Sequence, residues 1–184
     1  LPIWKLGRRI FEIPLPPPSV PGMRLNAALT VRAQALGVRV VPGVRTISFE
    51  AADGRVSAVA TAAGRSYPAD AFVLATGGFE SGALELDSHG TVRETLFDLP
   101  LRGTDHAPLI HGDYWGAEQP LFAVGVAVDP SMRAVDGAGA VVFGNLYAVG
   151  GILAGASGWK EKSGDGVALA SAMVAAESIV KELA

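Results

Sequence analysis

The chain has no cysteine among its 184 residues. That absence removes disulfides, thiolate zinc, iron–sulfur ligation and a cysteine nucleophile, and it fits a reducing cytoplasm. Any electron transfer must therefore use a bound organic cofactor. Charge of one sign is also lacking: the net charge is -3, the pI is near 5.6, and no Lys/Arg cluster stands out. Nucleic acid is not an expected partner. The three histidines, His89, His106 and His111, match no zinc spacing, and Glu80, Glu85 and Asp87 form no hydrolytic pair, so no metal site is expected. The dinucleotide fingerprint G-x-G-x-x-G is missing as well. Gly137-Ala-Gly139 lacks the third glycine, and Gly164-Asp-Gly166 has Leu169 where that glycine belongs. The first residues, Leu1-Pro-Ile-Trp4, have no methionine and no signal-peptide order, which suggests a fragment whose N-terminal portion is absent.

What is present is 49% apolar, enough to bury a sizeable core in one ordinary domain or two small ones. Residues 137–159 carry no charge and include Gly151-Ile-Leu-Ala-Gly155, a GxxxG pattern. The many glycines and Asn145 argue instead for a buried strand and a glycine loop, without a transmembrane helix.

Phe11 to Gly22 is proline-dense and reads as an extended connector. Arg24 to Leu36 has helical apolar spacing, closed by Gly37, and Val38 to Val41 reads as a short strand. Asp53-Gly54 between Val44–Ala51 and Arg55–Ala62 predicts a type I′ hairpin, with Arg65–Pro68 as a third strand of a β-meander. Ala71 to Ala75 is apolar on both faces, as a buried parallel strand would be. From Phe79 to Pro120 the pattern is irregular, suggesting surface structure or a cap. Leu121–Val128, Ala140–Phe143 and Asn145–Val149 read as strands. Gly166–Leu183 reads as a helix with Leu169, Met173, Ala176, Val180 and Leu183 on one side and Ser171, Ser178, Lys181 and Glu182 toward water. Trp4, Trp115 and Trp159 read as packing anchors.

Three glycine clusters stand at the ends of these elements. Thr76-Gly77-Gly78 ends one apolar strand, Gly150-Gly151 ends another, and Gly164-Asp165-Gly166-Val167 opens the last helix. Strand ends almost without side chains let a bulky group lie against the backbone, and a helix start offers free N–H groups and a positive dipole end. Each cluster alone is also what a tight turn requires. Asp165 reads equally as a helix N-cap.

In their order, Leu74-Ala-Thr-Gly-Gly-Phe-Glu-Ser-Gly82, Gly125-Val-Ala-Val-Asp-Pro130 and Asn145-Leu-Tyr-Ala-Val-Gly-Gly-Ile-Leu-Ala-Gly155 resemble the flavoproteins of the fumarate reductase and glycerol-3-phosphate dehydrogenase type. The likeness is greatest to the family of B subunits of the anaerobic glycerol-3-phosphate dehydrogenases. It implies an α/β fold, part of a Rossmann-like flavin-binding domain with an inserted antiparallel β-meander and a small cap region. Residues 1–80 and 121–184 would form the flavin-binding part and 81–120 the cap or partner-facing insertion. The implied cofactor is a flavin, FMN or FAD. Thr76, Gly77 and Gly78 would pass close to it from the middle strand. Gly150 and Gly151 would approach its ribityl or phosphate portion, while Gly164, Asp165, Gly166 and Val167 would set N–H groups near the ring.

The resemblance further implies oxidation of glycerol 3-phosphate to dihydroxyacetone phosphate, with electrons passed toward quinone. Its partners would be a catalytic flavoprotein subunit and an iron–sulfur membrane-anchoring subunit, placing the chain at the inner face of the cell membrane. No catalytic base is identified. Where related flavoproteins have an acidic residue after the last strand, this chain has Gly151. Two alternatives stand beside this reading. One is a fumarate- or ketosteroid-type reductase using an Arg or His of the cap, with Arg93 and Arg102 as candidate anion ligands. The other is a non-catalytic assembly module with a structural flavin. Without the fingerprint, little or no bound flavin is expected in the isolated chain.

Overall fold

The computed structural model describes residues 19–105, 108–113, 116–156 and 161–184. Trp4, His106, Trp115, Trp159 and the prolines before Ser19 lie outside the described residues. The chain divides into two compact units, Leu1–Val44 and Arg45–Ala184.

In the first unit, helix α1 spans Val20–Ala35. The Ser19 hydroxyl caps it by accepting from the Gly22 amide at 3.1 Å. The helix therefore begins inside the stretch expected to be extended, because Pro21 falls in the first turn, where no intrahelical N–H is needed. Gly37, at φ +83°, closes it as the spacing predicts, with the Val38 amide reaching back to the Ala33 carbonyl and the Gly37 amide to Gln34. No residue of α1 is buried. Val38–Val41 is not a strand. The described part of this unit offers no second strand to pair with it, and its valines are exposed.

The second unit begins with strands β1 (Thr46–Ala52), β2 (Arg55–Thr61) and β3 (Ser66–Pro68), which form an antiparallel sheet in that order. Ala52 faces Arg55 across a turn in which Asp53 and Gly54 both have positive φ, at 51° and 70°. This is the geometry their residue types favour. The chain then enters β4 (Phe72–Leu74), which pairs in parallel with β9 (Leu146–Ala148) through the register Phe72↔Leu146 and Leu74↔Ala148.

Between β4 and β9 lie an antiparallel pair, β5 (Leu84–Leu86) with β6 (Val92–Glu94), and a second pair, β7 (Leu101–Arg102) with β8 (Gly125–Val126). Leu84, Val92, Phe97 and Leu99 of residues 81–120 join the main core. The eight-residue strand expected at Leu121–Val128 is instead a 3-10 turn at Pro120–Ala123 followed by the two residues of β8. Pro120 starts that turn without needing a donor of its own. Ala140–Phe143 likewise makes only a single bridge, Val135↔Val141. Helix α2 spans Gly164–Leu183.

The core is organised around β9, which alternates strictly. Leu146 and Ala148 face the main cluster with Val56, Phe72, Leu74 and Ile152, while Tyr147 and Val149 face Ala175 of α2. A strand buried on both faces is what a short apolar run beside a parallel neighbour produces. At its start, buried Asn145 joins three chain segments: its amide nitrogen donates to the Val56 and Asp70 carbonyls at 2.8 and 2.9 Å, and its oxygen accepts from the Val56 amide at 2.8 Å.

The apolar side of α2 does not face the core as the sequence suggests, although Lys181 and Glu182 are exposed as expected. Ser171 and Ala175 are buried, whereas Leu169, Met173 and Val180 are exposed at 66%, 56% and 67%. The sheet accepts the small-residue face because Tyr147 already fills the space beneath the helix, so Ala and Ser allow close approach.

Candidate functional site

The glycine clusters meet at the carboxyl ends of β4 and β9, where ligands of open α/β sheets are bound. Gly77, at φ +78°, turns the chain after β4, and the Ser81 hydroxyl fixes that turn by donating to the Gly78 carbonyl at 2.9 Å. Gly150, at φ +74°, turns the chain after β9 into a 3-10 turn at Gly150–Ile152. The two ends touch through backbone alone. A Cβ on Gly151 would lie 3.6 Å from Gly77 Cα, and one on Gly78 would lie 3.5 Å from the Gly151 carbonyl oxygen.

A cavity of about 210 Å³ opens at this point. Gly78, Gly151, Gly164 and Val167 line it together with Phe79, Glu80, Leu84, Phe122, Val124 and Ala156. Four of the nine residues predicted for the site thus converge on one concavity. Gly77 and Gly150 stand directly behind Gly78 and Gly151. Thr76, Asp165 and Gly166 are exposed and do not line it. Asp165 is not the N-cap of α2: Ser163 holds that position and Asp165 lies in the first turn, where its charge complements the helix dipole. The first intrahelical bond runs from the Val167 amide to the Ser163 carbonyl at 2.8 Å, so the amides before it have no i→i−4 partner within the helix.

Naked backbone from two strand ends, a helix start and the rings of Phe79 and Phe122 suit a flat group with polar edges. At about 210 Å³ the cavity falls below the range of roughly 300–1,000 Å³ usual for ligand pockets, so it fits part of a dinucleotide rather than the whole.

Of the residues weighed from sequence in segment 81–120, the described ones, His89, Arg93, Arg102 and His111, do not line this cavity. Arg93 donates to Glu85 at 2.8 Å, a bond that holds its guanidinium pKa above the ordinary value. The His111 ring is engaged by the Glu118 carbonyl and the Gln119 amide, and His89 and Arg102 are exposed. No cluster of three or more metal-binding side chains occurs among the described residues. Nor is any helix among them long and apolar enough to cross a membrane.

Two residues that sequence reasoning missed belong to the site. Glu80 brings a carboxylate to the cavity beside Gly78, visible in the sequence only as the second residue after the Gly-Gly pair. Ser171 accepts from the Gly150 amide at 2.9 Å from beneath the helix, a contact with no sequence signal.

Among known proteins, the FAD binding domain family matches residues 5–167. The B subunit of an anaerobic glycerol-3-phosphate dehydrogenase from Yersinia pseudotuberculosis serotype I (strain IP32953) is 35% identical over 182 residues, 97% of this chain and 42% of the relative. The B subunit of a probable anaerobic glycerol-3-phosphate dehydrogenase from Halobacterium salinarum is 34% identical over 92% of this chain and 40% of the relative. The corresponding protein of Actinobacillus pleuropneumoniae serotype 5b is 34% identical over 94% of this chain and 41% of the relative. The chain thus spans about two fifths of the length of these relatives. No solved structure matches it.

Proposed function

The chain belongs to the FAD binding domain family, and we propose that it supplies the strand-end and helix-start half of a flavin cradle in a subunit of a glycerol 3-phosphate dehydrogenase. The observation that carries this reading is the cavity at which Gly78, Gly151, Gly164 and Val167 meet. The relatives' names supply the substrate, and the fact that those names denote a single subunit supports work beside partner subunits. A catalytic flavoprotein, an iron–sulfur anchor at the inner membrane face and quinone as the electron acceptor belong to the same proposal.

In this reading Gly78 and Gly151 let the cofactor lie against backbone, where any side chain would hold it off. Glu80 accepts hydrogen bonds from sugar-chain hydroxyls, the task an acid at position 151 would otherwise perform. The first turn of α2 directs N–H groups and a positive dipole end at the ring edge, favouring negative charge there. Phe79 and Phe122 exclude water from the ring. A flavin bound here would accept a hydride from the C2 carbinol carbon of glycerol 3-phosphate. Segment 81–120 serves as the cap or partner-facing part.

The test is an absorbance spectrum of the full-length protein and of the 184-residue chain after incubation with FAD and with FMN. The full-length protein is expected to retain the visible flavin absorption band, which fades on adding glycerol 3-phosphate with its partner subunits present. The isolated chain is expected to retain little or none. A full-length protein that takes up neither flavin overturns the reading.

A further inference from the structure

Ser171 lies within α2, is only 7% exposed, and was expected from sequence to face water. Its hydroxyl donates to the Val167 carbonyl at 2.6 Å, the back-bond that serines inside helices commonly make. The same oxygen also accepts the Gly150 amide at 2.9 Å, across 21 residues of sequence. Gly150 is the positive-φ turn after β9, and its neighbour Gly151 lines the cavity. Val167 lines the cavity from the helix side. One hydroxyl therefore ties together the two backbone segments that approach the cavity from different elements.

We propose that Ser171 is a positioning residue: it locks the glycine turn after β9 to the first turn of α2, fixing the distance between the two walls of the cavity. This deepens the flavin reading and rests on it for the identity of the ligand. The Gly150 amide is thereby committed to Ser171, so the β9 side of the cradle presents its ligand with Gly151. Gly150 is buried, so removing the Ser171 hydroxyl takes from its amide the partner the structure gives it.

The test compares Ser171→Ala, Ser171→Thr and Ser178→Ala in the full-length protein. Ser178 makes the same back-bond, to Val174 at 2.9 Å, but is only half-buried and has no bond to the β9 turn, so it serves as the control. Backbone amide exchange is expected to rise about tenfold in Ser171→Ala over both 149–153 and 164–170, to return toward wild type in Ser171→Thr, and to stay unchanged in Ser178→Ala. The dissociation constant for FAD, from quenching of flavin fluorescence, is expected to rise about tenfold in Ser171→Ala alone, with a shift of the visible flavin band. Faster exchange in only one of the two segments overturns the lock. An unchanged FAD constant and spectrum beside faster exchange overturns the positioning role and leaves a structural bond. If the wild-type protein binds no flavin, the flavin reading fails while the exchange comparison still decides the lock.

Discussion

Tyr147, fully buried at 1% exposure, donates its hydroxyl proton to Glu182 at 2.6 Å. Burial pushes the phenol up to about 12, and the bond to Glu182 adds to the shift. The folded chain therefore keeps this proton across a window, from about pH 10 to about pH 12, in which the unfolded chain releases it, so stability falls as pH rises through that window. The contribution, about 2–3 kcal/mol for a shift of this size, is intact below pH 10. A phenolate absorbance titration should show a late step near pH 12 that Tyr147→Phe removes. The partner shifts in the opposite sense. Glu182 is held below the usual carboxylate range first by the Tyr147 hydrogen bond and then by Arg55, against the cost of partial burial. Its contribution is present above the ordinary carboxylate pKa and is lost as pH falls through the lowered value. Tyr147→Phe should consequently move the acid-unfolding midpoint upward, a result that a fluorescence or circular-dichroism pH titration reads directly.

Among the elements, the close approach of β8 to residues 152–154 sets a severe backbone constraint. A Cβ on Gly125 would stand 2.5 Å from the Ile152 carbonyl oxygen and 2.6 Å from the Ala154 amide nitrogen. Gly125→Ala should cost about 1–3 kcal/mol or more in a denaturant melt, because backbone on both sides must separate. Gly151→Ala meets Gly77 only at an ordinary 3.6 Å and should leave the melt within about 0.5 kcal/mol, while lowering flavin retention by adding a methyl group at the cavity. Asn145→Ala should be worse than a simple side-chain deletion, at about 2–4 kcal/mol, since it strands the buried amide and carbonyl of Val56. What the sequence reveals follows from how local each cause is. The β1–β2 hairpin is legible because Asp53 and Gly54 carry its turn within two residues, and the β4 and β9 strand ends because their glycines mark where the backbone must lie bare. The Asn145 clasp spans 89 residues and leaves no pattern. Leu121–Val128 has strand composition, but Pro120 and the tight seat of Gly125 turn it into a 3-10 turn and a two-residue strand.

For the whole molecule, the exposed apolar stripe of α2 matters most. Periodicity alone identifies an apolar stripe through Leu169, Met173 and Val180, and it assigns that stripe to the core. The structure instead buries the Ser171 and Ala175 side and leaves the stripe exposed. Both sides of this helix are thus able to pack, one on the sheet through small residues and the other through large ones. In the sheet beneath, Val73 of β4 is 48% exposed although its register partner Tyr147 is covered. Exposed stripes of this kind promote association of an isolated chain. Replacing Leu169, Met173 and Val180 together by Lys, Gln and Lys should therefore leave the unfolding free energy within about 0.5 kcal/mol per site, as for other surface positions. The same variant should sediment with less self-association and bind less of a hydrophobic dye. A collapse of its melting temperature instead would show that the stripe is covered by another surface in solution.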